Sequence, residues 1–148
     1  MLERVEIAID IDICATPSQV WRGIVDPEMT KHYVYGTCRV GDLVKGRPYA
    51  YVAEGGFHVV HGTILEIEPE RRLVISWKAQ WDAAVAADRA SRVTYELTAV
   101  APTVTRLHIL HDDFDGATAT YTGSIEGWQL MLSGLKKLLE TGNAPLPK

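Results

Sequence analysis

Cysteine, phenylalanine and positive charge are all scarce in this sequence. The two cysteines, Cys14 and Cys38, lie far apart and form no C-x-x-C pair. Together with an N-terminus, "MLERVEIAID", that lacks the plan of a secretory leader, this points to reduced thiols and a cytoplasmic protein. Lysine and arginine number 15 against 19 aspartates and glutamates, a net charge of −4. No basic stripe is visible, so a nucleic-acid partner is not expected. No apolar run approaches the roughly 20 residues of a membrane span. G-x-S-x-G, H-E-x-x-H and Walker patterns are all missing. None of Ser18, Ser76, Ser91, Ser124 and Ser133 has an adjacent histidine, and no cysteine–histidine arrangement occurs. A covalent nucleophile is therefore unsupported, and neither a metal nor a cofactor is expected. Repeats, linkers and low-complexity tracts are absent as well.

What is present is an ordinary globular composition. Of 148 residues, 47% are apolar and 23% charged, so one domain spanning 1–148 can bury a core without disulfides or metal. Residues 3–13, "ERVEIAIDIDI", alternate, with Val5, Ile7, Ile9, Ile11 and Ile13 on one face, and predict a half-buried strand. The period then changes. Thr16 is an N-cap with Pro17 at the first helical position, and Val20, Trp21, Ile24 and Val25 form a helical stripe. Asp26-Pro27 ends that helix and starts a second short one.

From Tyr33 the chain reads as strands and turns: "YVYGTCRV", "LVKGRPYAYVA", "FHVVHGTILEIE", "RLVISWKAQW", "SRVTYELTAV" and "VTRLHILHDDF". Pro48 marks the second of these as an edge or bulged strand. Glu54-Gly55-Gly56 and Ala101-Pro102 are hairpin turns. Around "GRPYAYVAEGGFHVV" one extra residue would exchange the two faces. The last helix is read over "EGWQLMLSGLKKLLETG", with Gly127 and Gly134 inside it, Gly142 as its stop and 143–148 as a disordered tail. Each interior glycine costs a helix about 1 kcal/mol relative to alanine, so two of them ask for a packing or a cavity reason. Ile125, Trp128, Leu132, Leu135 and Leu139 form the stripe expected on the sheet, beside a thinner one through Gly127, Met131, Gly134 and Leu138. The expected fold is α+β: a curved antiparallel sheet of six to seven strands around a long C-terminal helix, with two short helices after strand 1.

Four segments in this order, "ATPSQVWRGIVDP", "GTILEIEPERRLVISW", "SRVTYEL…VTRLHILHDDF" and "GWQLMLSGLKKLLETG", together resemble the START-like (SRPBCC) helix-grip superfamily. Within it they resemble the branch named after the activator of heat-shock-protein-90 ATPase, in its bacterial single-domain form. The resemblance covers Glu3 to Gly142. It implies a cavity between the sheet and the last helix, where superfamily members bind lipids, sterols, polyketides and hormones, and where some act as cyclases, hydrolases or dehydratases. It also implies a possible protein partner such as a chaperone. Fold alone does not assign function.

Two histidine pairs, His58/His61 and His108/His111, are spaced by three. On strands that spacing points to opposite faces, so neither pair is a metal site. His61, with Phe57 and Val59, and His111, with Leu107 and Ile109, are the candidates for acid–base work in a cavity. The acidic run Asp112, Asp113 and Asp115 lacks calcium-loop spacing and reads as a solvated turn, and Arg92 reads as outward. Tyrosine and tryptophan, six and four against two phenylalanines, are unusual for a dry core because each carries a polar atom needing a partner. The expected cavity lining is Tyr33, Tyr35, Tyr49, Tyr51, Phe57, Val59, His61, Trp77, Trp81, Tyr95, His111, Trp128 and Met131. The expected function is binding of a small hydrophobic or amphipathic molecule, by a monomer or homodimer. The alternatives are a cyclase- or hydrolase-type enzyme and a co-chaperone-like interaction module.

Overall fold

The alternating isoleucines of the first segment form β1, Ile7–Ile13. The computed structural model describes residues 5–142, so the strand start expected at Glu3 and the tail expected at 143–148 lie outside them. Thr16 and Gln19 then build a reciprocal capping box on α1, Pro17–Val25. Asp26 closes α1, and its carboxylate accepts from the Glu28 amide to cap α2, Pro27–Thr30.

The strand expected from Tyr33 is corrected here. Residues 31–36 are turns, because Tyr35 (φ 48°) and Gly36 (φ 74°) both take left-handed backbone that no strand can continue. Only Cys38–Val40 forms β2. The strands β3, Pro48–Val52, β4, His58–Glu68, and β5, Arg72–Ala79, follow. The alanine-rich stretch after β5 holds one turn of helix, α3, Ala83–Ala86, capped by the Asp82 carboxylate on the Val85 amide. The hairpin of β6, Ser91–Ala101, and β7, Val104–Asp112, leads to α4, Ala119–Thr141.

The seven strands form one antiparallel sheet in the order β1-β7-β6-β5-β4-β3-β2. Its registers place rows of side chains across the concave face. One row is Leu73–Tyr95–Ile109–Ile9, and the next is Ile75–Val93–His111–Ile7. α4 lies on that face through Trp128, Met131, Leu132 and Leu135, all buried. This is the helix-grip architecture.

Two details of α4 differ from the sequence reading. It begins at Ala119, seven residues before Glu126, and its N-terminal half buries Thr120 and Ser124 rather than Ile125, which is 40% exposed. Residues 119–125, "ATYTGSI", have weak helix propensity, and the N-cap residue Thr118 makes no side-chain cap bond. The cap comes from elsewhere in the chain. Buried Asp88, in the loop after α3, accepts from both the amide and the hydroxyl of Thr120, at 2.9 and 2.7 Å. The Thr120 hydroxyl is the main cause of a lowered Asp88 pKa, so the carboxylate stays ionised at the positive helix end. Lys78 ties the same loop down by donating to the Ala86 and Asp88 carbonyls.

Candidate functional site

The space between the sheet and the first half of α4 is not filled. A cavity of about 380 Å³ lies there, bordered by Val34, Tyr35 and Thr37 from the turns before β2, Tyr51 from β3, Val59 and Val60 from β4, and Trp77 from β5. Trp81 closes one side, and Gly123, Ser124, Gly127, Trp128 and Met131 of α4 form the roof. Among the described residues no charged side chain lines it. A much smaller void beside it touches Tyr33, Tyr95 and Leu135.

The roof follows from helical spacing. Residues 123, 127 and 131, and 124 and 128, repeat at i,i+4 and so share a face. A Cβ on Gly127 would sit 3.7 Å from the Tyr35 hydroxyl, and one on Gly123 would sit 3.5 Å from Trp81. Both are ordinary contacts, so neither glycine is needed for close backbone packing. Tyr35 and Trp81, 59% and 40% exposed, mark where the cavity meets solvent.

β4 acquires its inward face by a bulge. Tyr51 pairs with Val60 but Val52 pairs with His58, so Val59 is one residue extra. Val59 and Val60 both reach the cavity, while His61 is turned to the outer face, where it pairs with Lys78 and Ala50. Phe57 stands 56% exposed in the hairpin turn. The structure therefore removes Phe57 from the lining because it stands exposed ahead of the strand, and His61 because the extra residue at Val59 exchanges the faces beyond it. Tyr49 is buried beneath the sheet edge, its hydroxyl donating to the Ser76 carbonyl. Tyr33 donates to the Gly23 carbonyl at 2.7 Å. Tyr51 lies beside the hydroxyl of Tyr95 and near buried Arg39. Burial raises the pKa of all four of these phenols, so they are neutral groups.

His111 is fully buried behind the cavity, in contact with Trp77, Trp128 and Phe114. The Trp128 indole N–H donates to its Nδ1 at 2.9 Å. An indole nitrogen can only donate, so Nδ1 carries no proton and the neutral ring holds its proton on Nε2. Nε2 lies 2.7 Å from the Ser91 hydroxyl, which in turn lies 3.3 Å from the Trp77 carbonyl. The chain Trp128 → His111 → Ser91 → Trp77 carbonyl thus satisfies every member. Burial pushes the His111 pKa down to about 3. With both nitrogens engaged and the neutral form fixed, His111 orients Trp128 in the roof and has no free lone pair to offer a substrate.

The acidic run is accounted for by ion pairs. Arg92 meets Asp112 in a two-pronged pair at 3.0 and 2.9 Å on the outer face. Arg89 bridges Asp113 and Asp115 and donates to the Phe114 carbonyl, which fastens the β7–α4 loop to the loop after α3. Among the described residues no cluster of histidine, cysteine or carboxylate side chains is arranged for a metal. None of their helices is long and apolar enough to cross a membrane.

Val34, Thr37, Val60, Gly123 and Ser124 border the cavity without having been expected there. The signal for the last two was the i,i+4 spacing of Gly123 and Ser124 with Gly127 and Trp128. It is visible only once the helix is known to begin before residue 123.

Residues 14–140 match the family described as Activator of Hsp90 ATPase homolog 1-like protein. Among solved structures, protein MLL2253 of Mesorhizobium loti is similar at 24% identity and a TM-score of 0.77, over 94% of this chain and 99% of that one. The Aha1 dimer from Colwellia psychrerythraea is similar at 18% identity and a TM-score of 0.75, over 95% and 99%. An HSP90 activator from Plasmodium falciparum is similar at 20% identity and a TM-score of 0.73, over 90% and 95%. At these identities the likeness shows the fold alone. No curated protein matches the chain.

Proposed function

The chain belongs to the Activator of Hsp90 ATPase homolog 1-like family, and from that premise we propose that it binds a small apolar or aromatic molecule between its sheet and α4. The observation that carries this reading is the cavity of about 380 Å³ with an aromatic, uncharged lining. Binding sites for small molecules are concave, largely apolar and typically about 300–1,000 Å³. An apolar occupant gains roughly 25 cal/mol per Å² removed from water. Tyr35, Tyr51, Trp77, Trp81 and Trp128 offer flat aromatic surface to the ligand, and the Trp128 N–H is already bonded to His111.

Turnover is less well supported than binding. His111 is locked neutral and His61 lies on the outer face, which removes both histidines from acid–base work at the cavity. The co-chaperone-like alternative requires a solid interior and a docking patch, and the cavity weighs against it. The protein is proposed to act in the cytoplasm, as a monomer or homodimer.

Native mass spectrometry of the freshly purified protein tests the reading. A bound mass of small-molecule size, lost on denaturation, supports it. The bare chain mass alone, with no adduct after incubation with fluorene, overturns it.

A further inference from the structure

Within this cavity, and resting on the binding role proposed for it, we infer that Met131 determines specificity: it is the end wall that sets how far the tail of an apolar occupant can run along α4. The cavity lies where α4 offers almost no side chain. Positions 123, 127, 131 and 135 repeat at i,i+4 on the face turned to the sheet, and they read Gly, Gly, Met, Leu. The two glycines and Met131 border the cavity, whereas Leu135 does not. Beyond Met131 lies the small void of about 10 Å³, bordered by Met131, Leu132, Leu135 and Ile24. It has room for about one water at most. The open space therefore stops at the first large side chain of the stripe, and a further gap lies on the far side of that side chain.

Five residues border both spaces: Val34, Tyr51, Trp77, Trp128 and Met131. Four of them are held in place. Trp128 is fixed by its bond to His111. Trp77 packs against Tyr51, His111 and Trp128. Tyr51 also meets Tyr49 edge to face, and Val34 is β-branched and stiff about χ1. Met131, buried among them, carries an unbranched apolar side chain that adapts to its surroundings. Its length fixes the boundary between the two spaces, and shortening it joins them. The class of occupant that feels such a wall is an aromatic ring bearing an unbranched alkyl chain. The ring lies among Tyr35, Trp81 and Trp128, and the gap past Met131 is too narrow for anything wider than the chain.

A homologous series reads the wall directly. Alkylbenzenes from ethylbenzene to octylbenzene are titrated against the full chain by displacement of bound fluorene, followed by fluorescence. Each buried methylene is expected to tighten binding about fourfold, until the tail meets Met131 and the gain stops. Met131→Ala is expected to move that break outward by about three carbons, the length of side chain removed. Met131→Val, a smaller truncation that costs less stability, is expected to move it by about one carbon and carries the test should the alanine variant not fold. Leu130→Ala, at an exposed neighbouring position that does not border the cavity, is expected to leave the break in place. A core merely loosened by truncation would weaken every homologue alike and keep the break where it is. That result would overturn the inference and leave the binding role standing, as would a series that climbs without a break in the unaltered protein. Failure of fluorene itself to bind would overturn the binding role, and the inference with it.

Discussion

Replacing Gly127 by alanine should stabilise the protein, which is unusual for a residue this close to a core. In the middle of a helix alanine is favoured over glycine by about 1 kcal/mol. The opposing term would be a clash, and none is present: the new Cβ meets only the Tyr35 hydroxyl, at 3.7 Å. The expected gain is therefore about 1 kcal/mol, or roughly 2–4 °C in Tm for a chain of this size. Gly62→Ala is the contrasting case, since its Cβ would fall 2.2 Å from the Ser76 carbonyl oxygen. It should lose about 1–3 kcal/mol through forced backbone movement. Gly127→Leu extends the test into the cavity: it should fold at least as stably as the parent, because the space beside Gly127 is open, and should no longer bind fluorene. Urea unfolding of the three variants and calorimetry with fluorene measure both quantities. A loss of 1 kcal/mol or more for Gly127→Ala would refute the reasoning, for it would show that protein, not space, adjoins this residue.

Three further outcomes follow from the same contacts. His111 has a folded pKa of about 3, below its ordinary value, so the unfolded chain takes up the proton first and stability should fall as pH drops from about 6.5 toward 3, by at most about 1.4 kcal/mol per unit. His111→Leu should lose that slope between pH 4.5 and 6.5 and cost about 1–3 kcal/mol at pH 7.5, where it strands the Trp128 N–H; an unchanged slope in urea titrations contradicts the assignment. Asp88→Ala should cost about 1–2 kcal/mol and speed amide exchange over 119–123, because it removes the cap of α4; exchange that does not change would place the cap elsewhere. His61→Ala, on the outer face, should leave fluorene affinity within about twofold, and a larger loss by calorimetry would return His61 to the site.

The architecture was legible because its signals are periodic. The isoleucines of β1 and the alternation in β6 and β7 fix strands and inward faces, and the four family-like segments fall in the order the fold needs. The turns before β2 were not legible, since the left-handed conformation of Tyr35 has no signature in "YVYG". The start of α4 was hidden because its cap, Asp88, lies thirty-two residues from Thr120 and cannot be seen in local sequence. The bulge at Val59 could be anticipated as a hazard of that hairpin, but its position depends on pairing with β3 and decides that His61 faces out. Of His111 the sequence shows only that its face is apolar. Its tautomer is set by a tryptophan from α4, a tertiary fact.

The claim that the cavity is a binding site is tested most directly by following the indole N–H signals of the four tryptophans by NMR while fluorene is added. Trp77, Trp81 and Trp128 border the cavity, and Trp21, on α1, does not. The account predicts saturable shifts in the first three, together with amides 123–131, and a stationary Trp21. Four indole signals that stay in place, or a Trp21 that moves with the others, would contradict it.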